Sequence, residues 1–142
     1  MHELLVKRRF EDEIGSLTPR FLSNRCWLLN EVDYPIIDLT FCGSRPLRLR
    51  LTCDNWDEQP PSAILLDESG GPLSGSIPGG IFNPGPHPLR PGPFICMRGF
   101  REYHTHPSHL TVDWASFRDQ DGMNLVGLLD QVSRAWRALC GY

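Results

Sequence analysis

Residues 70–93 read GGPLSGSIPGGIFNPGPHPLRPGP, seven glycines and seven prolines in 24 positions. Proline locks φ and removes a ladder donor, and glycine loses the most backbone freedom on ordering. Neither a regular helix nor a central strand can run through such a block. A connection of this length is a functional loop or a linker. Ile77, Ile81, Phe82 and Leu89 supply apolar anchors, which favours a loop folded onto a core. The rest of the fold must be built from the segments on either side.

Upstream, His2 to Ile14 predicts a helix, with Leu4, Leu5, Phe10 and Ile14 near one stripe and Gly15 as its stop. Four apolar runs then predict an antiparallel meander: Trp27 to Leu29, Ile36 to Phe41, Leu47 to Cys53, and Ala63 to Leu66. Asp33, Tyr34 and Pro35 form the first turn. Leu47, Leu49 and Leu51 alternate with Arg48 and Arg50. With Arg45, these arginines read as the wet face of a half-buried strand rather than a polyanion site. Downstream come the short burst Phe94-Ile95-Cys96-Met97 and the polar segment HTHPSH. A last helix is expected from about Trp114 or Asn124 to Leu139, buried through Leu125, Leu128, Leu129, Val132 and Trp136. This order predicts an α+β fold, with one domain over residues 1–142.

The 142 residues are 40% hydrophobic and 22% charged, enough for one unstapled core. A net charge of -3 gives no nucleic-acid surface, and no apolar stretch has the length of a membrane span. The opening MHELLVKRRFEDEIG lacks the apolar region and cleavage site of a secretory signal, so a cytoplasmic location is expected. Five cysteines, widely spaced and without a C-x-x-C pair, read as free thiols. Cys26, Cys42 and Cys53 fall in strand patterns and are expected to be buried as small hydrophobes. Cys140 has no surrounding machinery. Cys96, between a Gly/Pro loop and a polar segment, is placed as an accessible nucleophile.

Several of these segments carry a resemblance. Gln59-Pro60-Pro61-Ser62-Ala63 precedes the fourth strand, and His87-Pro88 stands nine positions before Cys96. Gly92-Pro93-Phe94-Ile95-Cys96-Met97 leads into the cysteine, and Trp114 and a leucine-rich helix follow. Together they resemble the ubiquitin-conjugating enzyme family, in its divergent bacterial form. The resemblance implies that Cys96 accepts a ubiquitin-like protein from an activating enzyme as a thioester and passes it to a protein target. No cofactor is implied. A setting beside an activating enzyme, a ubiquitin-like protein and a JAMM-type peptidase is also implied by the resemblance. It further implies that His87 supports the loop beside the cysteine. Leu89 stands where the family has the asparagine of His-Pro-Asn, so another polar group must assist the reaction.

His104, His106 and His109 are the candidates for that assistance. His-x-His places two imidazoles on one face of an extended segment. His104 and His106 are assigned catalytic roles, supported by His87, His109 and Asp113. The three histidines could alternatively bind zinc, with Asp113 or Cys96 as a fourth ligand. A rival reading takes Tyr103-His104-Thr105-His106-Pro107 and Ser116-Phe117-Arg118-Asp119 as similar to JAMM zinc peptidases, with Glu68 as base and His104, His106 and Asp119 as ligands. The His106-to-Asp119 spacing is two residues longer than that pattern. A third reading is an inert module of the conjugating fold that binds a partner and leaves Cys96 unreactive.

Overall fold

The structure is a computed structural model and describes residues 2–141. Helix α1, His2–Ile14, and a short helix α2, Pro19–Arg25, precede strands β1 (Trp27–Asp33), β2 (Ile36–Phe41), β3 (Leu47–Thr52) and β4 (Ser62–Leu66). The strands pair antiparallel in the order β1-β2-β3-β4, as the meander reading requires. A two-stranded ladder of β5 (Phe82–Asn83) and β6 (Phe94–Ile95) closes the Gly/Pro block. Helix α3, Arg101–Thr105, two 3-10 turns and helix α4, Leu125–Cys140, complete the chain. The α+β class with an N-terminal helix, a four-strand sheet and a C-terminal helix is therefore as expected.

The leucines of β3 explain how the sheet finds its register. Leu47, Leu49 and Leu51 are fully buried, and a slip of one residue would turn all three outward. They meet Leu125, Leu128, Leu129, Val132 and Trp136 of α4 in one core cluster. Each such side chain contributes roughly 1.5–3 kcal/mol on full burial. The α4 helix begins at Leu125, where Asn124 accepts the Gly127 N–H at 2.7 Å. Trp114 lies outside it, in a separate 3-10 turn.

On the opposite, partly exposed face of β3, Arg48 and Arg50 gather around the buried Asp38. Arg48 donates to both carboxylate oxygens of Asp38 at 2.8 and 3.1 Å, and Arg50 adds a bond at 3.2 Å. Asn30, the extra residue at the β1 bulge, donates to Asp38 and Thr40. Burial raises the Asp38 carboxyl, but the bonds from Arg48, Asn30 and Arg50 outweigh it and hold the group below its usual range. Arg45 lies over the Trp136 ring and donates to the Ser74 carbonyl. The three arginines thus serve the fold.

Several expectations need correction. Leu4 and Leu5 are exposed; Val6 and Phe10 are the buried residues of α1. Helix α2 went unread because it is short and has no apolar stripe: no residue of it is buried. Its signal was Thr18-Pro19, an N-cap followed by proline at the first helical position, with Thr18 accepting the Phe21 N–H. Cys26 and Cys42 are exposed, not buried: Cys26 is the left-handed C-cap of α2, and Cys42 follows the last residue of β2. Leu89 is exposed, whereas Phe82 is buried as expected.

Candidate functional site

The Gly/Pro block is a folded loop. Gly85 has φ +78°, and a Cβ there would sit 2.0 Å from the Gly92 carbonyl oxygen, so two arms of the loop touch only because this residue is glycine. The loop then enters β6, and Cys96 follows its last residue. The Cys96 N–H donates to the Ile81 carbonyl at 2.7 Å, which fixes the cysteine against the start of the β5 arm.

His87 fastens this loop to α3. It is buried, and its Nδ1 accepts the Leu89 N–H at 3.1 Å. The proton therefore sits on Nε2, which donates to the Glu102 carbonyl at 2.8 Å. Both ring nitrogens are used, as befits a supporting role.

Glu102 continues the fastening. Its side chain is buried and accepts from the Ser62 hydroxyl at 2.7 Å and the Ala63 N–H at 2.9 Å. Arg90 reaches from the loop to Ser62 Oγ and the Ala63 carbonyl, both at 2.6 Å. Arg101 donates to the Pro60 carbonyl and to Asp54, and its own N–H donates to the Pro61 carbonyl. The Pro60-Pro61 element, β4, the loop and α3 are thereby tied at one place. Sequence reading missed Glu102 and Arg90. The available signal was that Arg90 is the sole Asp, Glu, Lys or Arg in residues 70–93; a lone charge in a Gly/Pro loop needs a partner.

The half-buried Cys96 sulfur lies 3.7 Å from Nε2 of His109, within reach of a sulfur hydrogen bond. Burial pushes the Cys96 thiol above its ordinary range. His109 sits in the 3-10 turn Pro107–His109, and its ring stacks on Tyr103 at 3.9 Å and 13°. Of the three clustered histidines, His109 is the one placed at the thiol.

His104 and His106 are placed differently. They do not share a face of an extended segment: His104 lies in α3 and His106 is its C-cap. Nε2 of His104 accepts the Gly99 N–H at 3.1 Å, and Nδ1 donates to the Val112 carbonyl at 2.9 Å. With both nitrogens committed to backbone, His104 has no site left for moving a substrate proton. Burial also holds its pKa below the usual value, against the pull of the Val112 bond and of Asp113. His106 Nδ1 accepts from the Ser108 hydroxyl at 2.7 Å and the Ser108 N–H at 3.2 Å. Its ring packs on Phe94 at 5.9 Å, and Phe94 meets His87 at 4.9 Å. Asp113 is exposed and caps the Trp114–Ser116 turn through the Ala115 N–H.

Among the described residues, no three His, Cys, Asp or Glu side chains converge as a metal site. The zinc arrangements read from the sequence, His104 with His106 and His109 or with Asp119, are therefore not assembled. Also among the described residues, no helix is long and apolar enough to cross a membrane. Neither any protein-family model nor any curated protein matches this chain.

Proposed function

We propose that this chain is a ubiquitin-conjugating-type carrier, cytoplasmic and of the bacterial kind, whose Cys96 takes a ubiquitin-like protein from an activating enzyme as a thioester. The observation that carries the reading is the placement of Cys96. It follows β6 directly, downstream of a loop fastened by His87, with His109 Nε2 3.7 Å from its sulfur. The order of helix, meander, Pro-Pro element, His-Pro loop, cysteine and leucine-rich helix supports the same reading.

The chemistry needs little else. Because burial keeps the thiol protonated, a base must take its proton before sulfur attacks the incoming thioester carbonyl. His109 is in position to accept it. The sulfur forms the new acyl bond, the donor thiol leaves with a proton, and the modifier is held on Cys96. An amine of the target then attacks the same carbonyl, Cys96 is released, and the amine proton passes to a base, again within reach of His109. The Gly/Pro loop and α3, tied through Glu102, hold the cysteine in place through both steps.

The test uses ubiquitin already activated as a C-terminal thioester, which bypasses the activating enzyme. The carrier should form a covalent adduct that dithiothreitol removes and that a zinc chelator leaves unaffected. Cleavage of a ubiquitin-like fusion that the chelator abolishes, without an adduct, would support the peptidase reading instead.

A further inference from the structure

We propose that Cys26 and Cys42 form a second thiol site, a dithiol just beyond the end of the β1–β2 ladder that peptide disulfides such as oxidised glutathione convert to an intramolecular disulfide. The pairing Trp27↔Phe41 ends the β1–β2 ladder, and one further step sets Cys26 against Cys42. Their backbones keep the register, with the Cys42 N–H donating to the Cys26 carbonyl at 3.0 Å. Cys26 has left the strand conformation, so it is this hydrogen bond that keeps the two residues adjacent. A disulfide needs Cα atoms roughly 4.4–6.8 Å apart.

Three features prepare the pair. Both cysteines are exposed. Both line one cleft of about 380 Å³, with Asn24, Arg25, Gly43 and Arg137. The two chain segments are also held together: one guanidinium nitrogen of Arg137 donates to the Arg25 carbonyl at 2.6 Å and to the Cys42 carbonyl at 3.3 Å. Cys26 itself is fixed in the left-handed region at φ 55°, its N–H bonded back into α2.

The exchange is balanced as two displacements. One cysteine thiolate attacks the oxidised peptide disulfide, forming a mixed disulfide and expelling one peptide thiolate. The second cysteine thiolate attacks the protein sulfur of that mixed disulfide. The Cys26–Cys42 bond forms and a second peptide thiolate leaves. The two protons lost by the protein are taken up by the released thiolates, and its two electrons reduce the oxidant.

The experiment equilibrates the full chain with oxidised or reduced glutathione, alkylates it under denaturing conditions and digests it with trypsin. Arg45 is followed by Pro46, so Cys26 and Cys42 leave on one peptide ending at Arg48. After oxidation that peptide should lose both alkyl labels and be lighter by two hydrogens. Reduced glutathione should restore both labels. In Cys26→Ser, with an unchanged circular dichroism spectrum, Cys42 should instead retain a glutathione. Full labelling under oxidising conditions, two glutathiones on the peptide, or a Cys42–Cys140 link would each overturn the proposal.

Discussion

The sulfur of Cys96 and Nε2 of His109 stand 3.7 Å apart, and Tyr103 backs the imidazole by ring stacking. A histidine in that position can relieve the thiol of the proton that burial makes it keep. His109→Ala should therefore slow Cys96 acylation by ubiquitin thioester about a hundredfold at neutral pH. The deficit should shrink as pH rises and solvent takes over the deprotonation. Stopped-flow or quenched acylation across pH 6.5–9.5 (roughly the range of a base and a thiol) checks this. A deficit that does not change with pH would assign His109 a packing role on Tyr103.

His104 should behave as a structural residue. His104→Ala leaves the Gly99 N–H and the Val112 carbonyl without their partner and should cost about 1–3 kcal/mol in urea unfolding. The pH dependence has a definite sign. The folded pKa of His104 lies below its ordinary 6.5, so the unfolded chain binds more protons in mild acid. The stabilisation is present above pH 6.5 and is lost as pH falls through the folded value. Wild type should weaken between pH 7.5 and pH 5 (about one ordinary histidine titration) more than His104→Ala does. Equal slopes for the two proteins would contradict the assignment.

Much of this was legible in the sequence. The alternating leucines of β3, the runs of β2 and β4 and the leucine face of α4 gave their elements with small boundary errors, because a half-buried strand and an amphipathic helix each have a period to read. The position of Cys96 at the end of an apolar burst was readable too. Which histidine faces it was not. His104, His106 and His109 look alike in sequence. Their roles are divided by a single turn of α3 and the 3-10 turn after it, which aim His104 at Gly99 and Val112 and His109 at the thiol. Cys26 and Cys42 were misread for a related reason. Apolar neighbours mark a strand, but whether the residue just past its end is buried depends on what packs there: Cys53, past β3, is buried, and Cys26 and Cys42 are not.

The cysteines should alkylate in a set order. Cys26 and Cys42 are exposed and should react with iodoacetamide first. Cys96 should follow more slowly, since burial raises its thiol. Cys53, fully buried and with its thiol raised far out of the usual range by that burial, should stay unlabelled until the chain unfolds. Timed labelling with peptide mass analysis reads the order, and early labelling of Cys53 would place the β3 end outside the core.

Glu102→Ala should both destabilise the protein and disturb the thiol. It leaves the Ser62 hydroxyl and the Ala63 N–H without their acceptor and takes the carboxylate away from Arg90, a loss of about 2–4 kcal/mol. The loop bearing His87 loses a brace as well, so the Cys96 alkylation rate should change along with stability. Lower stability with an unaltered Cys96 rate would separate the clamp from the site.

The central claim is that Cys96 carries an acyl group, and Cys96→Ser tests it most directly. Offered ubiquitin activated as a C-terminal thioester, the wild-type chain should form an adduct that dithiothreitol removes, mapped by peptide mass to Cys96. Cys96→Ser should form more slowly an adduct that dithiothreitol leaves intact, because an ester resists thiol exchange where a thioester does not. An adduct that keeps its thiol sensitivity in Cys96→Ser, or one that maps to Cys26, Cys42 or Cys140, would contradict the account.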